Sequence, residues 1–408
     1  MSRQRTIDLE DLGFDRGAHL LIAGALDELD AGDTLVVLGR DPALEMHLRA
    51  WCRRTGHGFV PPNEGLDPLP VDGRSAIAGL LIRGTARDAR LVAAERAGTP
   101  QPAGIVSEAP AHWGLAARGA LVEAGGPEVD FDLRERDLVW ADAAPRLYAQ
   151  AAANQWDPNA AIEWTADFEL PPAVERAVVQ VMTYLVENEQ AALAVPARFL
   201  GRIHPHYREV VQFLAIQAAD EARHVEVFTR RATLKGGELG LSGAGGRASL
   251  STLLNEPSFT LAHFLLSVLG EGTFLNLLAF IERHAPDPVT RQVAHLALQD
   301  ESRHVAFGMA HLIHRVEVEP ALRSQLATAM RRRHDVLIDT AGLNEQVFDA
   351  LVVLAAGAWS PQVIASGFAA VLQLQDDMDR GRRRRLRRLG FSLEEAEELS
   401  ALHTRNFM

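Results

Sequence analysis

A five-residue motif occurs twice. Asp220-Glu221-Ala222-Arg223-His224 returns as Asp300-Glu301-Ser302-Arg303-His304, eighty residues later (300 − 220). In each copy a Glu and a His stand three apart. On a helix that spacing puts them on one face, one turn from each other. One such pair is half of a metal site. Two pairs on two helices of one bundle can hold two metals, provided that each of two further helices supplies a Glu. The repeat therefore constrains this chain to a helical bundle with a polar centre.

The two further carboxylates have candidates. The segment from Val174 to Leu193 reads as a helix and carries Glu187 and Glu189. The segment from Thr260 to Arg283 reads as another and carries Glu271. Glu189 precedes Glu221 by 32 residues (221 − 189), and Glu271 precedes Glu301 by 30 (301 − 271). The order Glu, then ExxH, thus appears twice at nearly one spacing, as two antiparallel helix hairpins would give. Between Glu187 and Glu189, the second has Leu185, Val186, Ala192 and Leu193 at helical spacing and lies in the apolar stripe. Glu271 has Val268, Phe274 and Leu275 around it. A carboxylate turned inward needs a partner, because an unpaired buried charge is very costly. A metal is that partner, so Glu189 is preferred and Glu187 is its competitor.

Carboxylate with imidazole, and no thiolate, suits a first-row metal that changes oxidation state. Two iron ions together can deliver the electrons that cleave dioxygen. Asp220 and Asp300 would accept the free N–H of a ligating His and fix its tautomer. Arg223 and Arg303 would neutralise those aspartates. A lone ExxH is commonly a solvated helix face, and one Glu in an apolar stripe is commonly a boundary residue. Two motifs, each with a helical Glu about thirty residues upstream, are hard to reach by chance.

These residues resemble the ferritin-like di-iron superfamily over roughly Pro172 to His314. Glu189, Glu221, His224, Glu271, Glu301 and His304 carry the resemblance. Its DExRH form is more similar to the oxygenase branches, such as bacterial multicomponent monooxygenases and arylamine N-oxygenases, than to storage ferritins. The resemblance implies two iron ions, or a manganese in place of one, with dioxygen as co-substrate. Two departures narrow it. Phe228 stands where the radical-generating ribonucleotide reductase subunits carry a Tyr. Ala297 stands where the arylamine N-oxygenases carry a third His.

Composition sets the outer bounds. The chain has 408 residues, 47% of them hydrophobic, enough for two or three domains. A net charge of −13 disfavours nucleic acid as a partner. The polar start Met1-Ser2-Arg3-Gln4-Arg5 is no signal peptide, and no spanning segment free of polar residues is expected; a cytoplasmic protein without membrane contact follows. Cys52 is the only cysteine, which excludes an intrachain disulfide or a Cys-based metal site.

Residues 1–70 read as a small α/β sandwich: a helix over Gly17–Leu29, a strand at Thr34–Leu38, then a helix over Pro42–Arg54. The stretch AGDTLVVLGRDPA and the helix end AWCRRTGH make it similar to the TusA-like sulfur-carrier fold. Its persulfide-forming Cys is missing; the matching pair is Arg16-Gly17. Cys52 reads as a buried structural thiol. Residues 71–170 are an extension and linker. They hold a strand candidate at Ile77–Ile82, a helix at Asp88–Arg96 and another at Trp113–Val122. The bundle is expected over 171–320, with Pro172 opening its first helix, Pro196 kinking or ending it, and the Gly-rich stretch Gly236–Gly246 separating the hairpins. Additional C-terminal helices fill 321–408, one of them over Leu343–Leu374. Arg380–Arg388 reads as a solvated face pairing with Glu394, Glu395, Glu397 and Glu398.

The expected architecture is α+β multidomain, an N-terminal α/β sandwich followed by a ferritin-like four-helix bundle. The expected activity is that of a dioxygen-dependent di-iron oxidoreductase on a small organic substrate, with an external electron donor as partner and a homodimer as one expected state. Phe213, Leu214, Phe228, Phe264 and Phe274 are candidates for its cavity wall. Two other readings stay open: an iron-handling or metal-loaded structural protein without organic substrate, and an interaction protein of sulfur trafficking.

Overall fold

The computed structural model describes residues 2–62, 75–337 and 345–402. It divides into two compact units, residues 1–97 with 119–127, and residues 98–118 with 128–408.

In the first unit, the β-branched apolar run of residues 34–38 forms a buried strand of a four-stranded sheet. Strand β1 (Gln4–Asp8) runs parallel to β2 (Thr34–Gly39), with α1 (Ala18–Asp27) as the crossover between them. β3 (Gly58–Val60) follows α2 (Leu44–Thr55), and β4 (Ala76–Ile82) inserts antiparallel between β2 and β3. Leu35 and Val37, two apart on β2, meet Ile22 and Leu26 of α1 and Leu44 and Leu48 of α2 in one core. Cys52 is fully buried there, and burial pushes its thiol up to about 12. The unit thus contains a strand that lies beyond residue 70; the boundary itself falls outside the described residues.

The helix expected over Trp113–Val122 does not form. A 3-10 turn covers Ala111–Trp113 and a strand covers Leu121–Val122, paired with Glu95–Arg96. Gly114 and Gly119 have φ of 49° and 91°, conformations that break a helix and that glycine adopts without strain. The helix expected over Asp88–Arg96 is shorter and earlier, Ala86–Leu91, because Glu95 and Arg96 join that strand pair.

The second unit is helical. After α3 (Ala144–Ala153), two long helices, α4 (Pro172–Leu200) and α5 (Arg208–Thr233), form the first hairpin. α6 (Ala244–Leu254) follows the Gly-rich break. The second hairpin runs from α7 (Phe259–His263) through a π-helical segment (Phe264–Gly270) into α8 (Glu271–His284), then back along α9 (Pro288–Val318). Apolar side chains of α4, α5, α8 and α9, among them Met182, Val227, Phe274 and Val293, share one core with α11 (Glu345–Ala356). Pro196 lies inside α4 and does not end it.

The π segment was not foreseen, and two close approaches accompany it. A Cβ on Gly308 of α9 would meet the Ser267 side chain at 2.2 Å, so the widened turn fits only against glycine. Arg385, on α12 (Pro361–Arg388), donates from Nε to the Val268 carbonyl of the π segment at 2.7 Å. The stretch Phe259–His284 is long and apolar enough by composition to cross a membrane, but polar residues interrupt it, Glu271 among them turned inward, and it is mostly buried.

The segment Leu343–Leu374 is not one helix. α11 and α12 meet at 119°, where Gly357 takes φ 64° and Pro361 starts the next helix; residues 343 and 344 lie outside the described ones. The arginine run on α12 is only partly a solvated face. Arg383 pairs with Asp379 at 2.8 Å and Glu397 at 3.1 Å, but Arg382 and Arg385 are buried. Arg382 donates to the Ser400 carbonyl and hydroxyl of α13 (Leu393–Ala401), while α10 (Leu322–Leu337) packs on α6.

One buried ion pair ties the two hairpins. Arg231 on α5 donates to Asp287, which caps α9, at 2.8 Å, and to Glu175 on α4. Arg231 and Asp287 are both shut off from water. Replacing Arg231 by Met leaves the Asp287 charge uncompensated. We expect a loss of about 3–5 kcal/mol of stability, read from the shift in denaturation midpoint.

Candidate metal centre

Each of the four core helices turns one glutamate to a common point. Glu189 comes from α4, Glu221 from α5, Glu271 from α8 and Glu301 from α9. All four are at most 4% exposed, and His224 and His304 are fully buried beside them. Glu187, the competitor of Glu189, lies half-buried two residues away from the inward stripe. The ligand atoms fall into two groups, each within 4.8 Å: Glu189, Glu221, His224 and Glu301 in one, and Glu221, Glu271, Glu301 and His304 in the other. Glu221 and Glu301 belong to both.

The oxygens show how the sharing works. Glu221 turns Oε2 to His224 Nδ1 at 3.3 Å and Oε1 to His304 Nδ1 at 2.9 Å. Glu301 turns Oε1 to His224 Nδ1 at 3.4 Å and Oε2 to His304 Nδ1 at 3.6 Å. These two glutamates are placed to bridge two ions. Glu189 Oε2, 3.6 Å from His224 Nδ1, is placed to complete one ion's shell, and Glu271 the other's. Gln217 donates to Glu271 Oε1 at 3.0 Å and fixes its orientation.

The aspartates cross over. Asp300, from the second motif, sits 3.1 Å from His224 Nε2, and Asp220, from the first, sits 3.3 Å from His304 Nε2. Burial raises both aspartates, but hydrogen bonds, first from His224 to Asp300 and from His304 to Asp220, bring them below the usual range. An ionised carboxylate only accepts, so each Nε2 donates and each Nδ1 is the nitrogen directed at the glutamates. Arg223 bridges Asp220 and Asp300, the latter at 3.0 Å, and Arg303 contacts both as well. Trp156 Nε1 donates to Asp300 at 2.8 Å and Gln155 to Asp220 at 2.8 Å, while Arg223 lies over the Trp156 ring. The linker residues Gln155 and Trp156 were missed from sequence as site residues. Only their place just before the bundle hinted at them.

The donor set fits metal ions. Both oxygens of Glu221 and of Glu301, one oxygen each of Glu189 and Glu271, and both histidine Nδ1 atoms are buried with no hydrogen-bond partner. Such a concentration of orphaned buried acceptors at one point is rare in a folded protein. Two divalent cations would satisfy them and offset four carboxylates.

Without metal the cluster holds protons instead. Burial, and then the neighbouring Glu221 and Glu301 charges, push Glu189 well up; burial and Glu301 do the same to Glu271. For His224 and His304 burial works downward, but Asp300 and Glu189 for the first and Glu221 and Glu301 for the second outweigh it, so both are raised well up. Glu221 moves the other way, its burial outweighed by His304 and His224.

A cavity of about 30 Å³ abuts the cluster. Glu189, Glu271 and Glu301 line one side, Leu250, Leu253, Leu265, Leu266 and Phe274 the apolar wall, and Asn188 and Arg333 a second polar side. Of the five expected wall residues only Phe274 lines it. Phe213 instead stacks on Phe307 at 4.4 Å, Phe228 packs near His224, and Leu214 and Phe264 are core. Inward spacing alone does not separate core from cavity wall.

No protein-family model matches the chain, and no curated protein does. Solved structures of R2-like ligand-binding oxidases are similar to it. One with an aerobically reconstituted Mn/Fe cofactor is 19% identical, over 61% of this chain and 94% of the other, with a TM-score of 0.47. Another, with an anaerobically reconstituted Mn/Fe cofactor, is 20% identical over 64% and 94%, with a TM-score of 0.45. The functional reading rests on the side chains described above.

Two outcomes follow. A raised pKa means that a proton is held more tightly at a given pH, and metal must displace it. Glu189, Glu271, His224 and His304 all hold such protons, so acid competes with metal. Anaerobic Fe(II) affinity should strengthen steadily between about pH 6 and about pH 8, with protons released on binding. Glu189→Ala should lose metal while Glu187→Ala keeps it, as measured by metal content after desalting.

Proposed function

We propose that this protein is a dioxygen-dependent, non-haem di-iron oxidoreductase acting on a small organic molecule, with manganese in one position as the alternative loading. The observation that supports it most is the pair of shared glutamates, Glu221 and Glu301, between two histidines in a buried cluster that opens onto an apolar-walled cavity. Bound iron supplies the electrons and Lewis acidity for dioxygen reduction.

The chain's own residues do the rest. Glu221 and Glu301, which belong to both ligand groups, would hold the two ions together. His224 and His304, steered by Asp300 and Asp220, keep Nδ1 aimed inward. Leu250, Leu253, Leu265 and Leu266 exclude water from the oxidising side, which protects reactive species from side reactions. The cavity has room for dioxygen or water; an organic guest needs rotation of those leucines, since ligand pockets are typically about 300–1,000 Å³. The reaction would draw on an external electron donor, and a cytoplasmic setting, in which Cys52 stays a thiol, accords with this chemistry. The apolar wall favours an organic substrate over iron storage. The TusA-like reading of the first unit stays a proposal about shape. The fully buried Cys52 provides no persulfide nucleophile, so that unit serves in docking or packing rather than sulfur transfer.

The test is anaerobic loading with Fe(II), then exposure to dioxygen. We expect about two iron ions per chain and consumption of dioxygen with a change in visible absorption. Glu221→Ala and Glu301→Ala should each lose iron and that response while keeping helicity by circular dichroism. Normal iron content in both, or many ions per chain, would remove this reading.

A further inference from the structure

The cavity has a charged residue that the metal cluster does not use. Arg333, on α10, lines it together with Glu189, Glu271 and Glu301. Its guanidinium is held by neutral groups only: NH2 donates to the Ser249 hydroxyl at 2.7 Å and NH1 to the Thr252 hydroxyl, both on α6. Among the described residues no carboxylate lies within ion-pair distance of it. Its neighbours Arg331 and Arg332, by contrast, pair with Glu398 and Glu256. A guanidinium has five N–H donors in a planar fork, and the two hydroxyls engage two of its terminal nitrogens without supplying a counter-charge. Burial lowers its pKa only to about 10, so it keeps its charge at neutral pH. A second polar group faces the same space: Asn188 lines the cavity, is 7% exposed, and its Oδ1 has no partner.

The charge count decides what Arg333 can bind. The four glutamates are offset by two divalent ions, so the loaded cluster adds no net repulsion toward an anion. Arg333 then contributes an uncompensated positive charge at low dielectric, where pairing is strong. The facing wall of Leu250, Leu253, Leu265, Leu266 and Phe274 is apolar. A ligand complementary to both has an anionic end and a hydrocarbon body.

We propose that Arg333 recognises the carboxylate of an organic acid substrate, with the leucine wall around its hydrocarbon part and the acceptor Oδ1 of Asn188 left to a donor group elsewhere on the guest. This deepens the oxidoreductase reading and rests on it. Arg333 is a substrate-specificity residue, held in place by Ser249 and Thr252, and not a metal ligand.

The experiment is isothermal titration calorimetry on the full chain loaded anaerobically with Mn(II), which also reports metal content. The probes are benzoate and butyrate against benzamide and butyramide. We expect the acids to bind and the amides to bind at least about tenfold more weakly. Arg333→Gln should abolish that preference while still holding two metals, and Arg333→Lys, which retains charge without the planar fork, should keep part of it. Circular dichroism checks that both variants are folded. Equal binding of acid by Arg333→Gln would mean that the metals alone hold the carboxylate, and would overturn the proposal. Failure of either acid to bind a fully metal-loaded protein would overturn it too, and leave the two-metal reading standing. Failure to load metal would remove both.

Discussion

Four carboxylates buried at one point repel each other unless positive charge lies between them. Everything in the helical unit is compatible with that requirement. Glu189, Glu221, Glu271 and Glu301 each come from a different helix, so no single helix concentrates the repulsion. The penalty appears only when the hairpins close together, and it disappears when cations or protons occupy the centre. Without metal the protein takes protons on Glu189, Glu271 and the two histidines. Bound metal would displace those protons, which would couple metal uptake to pH and to folding.

The crossed aspartates give the cluster its rigidity. Each motif supplies the Glu and His for the centre and the Asp that steers the other motif's His. A shift of α5 relative to α9 would therefore disturb both imidazoles at once. Arg223 binds the two aspartates together, and Trp156 and Gln155 close the outer side. The same pair of helices is tied again further along by Arg231 and Asp287. Ligand geometry and bundle geometry thus depend on a shared set of buried charges.

The opposite side of the cluster is built differently. The π segment ahead of Glu271 widens the helix against Gly308, and its Val268 carbonyl is taken up by Arg385 from a distant helix. That side holds the cavity, with leucines from α6 and the π segment and Arg333 from α10. One side of the cluster is closed by ion pairs and the other is a mostly apolar cavity lined also by Arg333 and Asn188. The proposed activity calls for such an asymmetry, with fixed side chains on one side and room for a guest on the other.

The sequence by itself determined the candidate ligand types and their pairing into Glu-x-x-His units, because three-residue spacing on a helix is a local property. It also favoured Glu189 over Glu187, since the apolar stripe is readable from periodicity. It marked the first unit as α/β through the β-branched run at Thr34–Leu38. Beyond that, local signals ran out. Which glutamates are shared, and that each aspartate serves the other motif, depend on how α5 and α9 face each other across eighty residues (300 − 220). Gly114 and Gly119 overrode an apolar pattern that suggested a helix, and Gly357 split another, because left-handed backbone is a choice made in three dimensions. Only the tertiary structure brought Arg333 beside the cavity: an arginine in a run of three looks alike at each position until packing turns one of them inward.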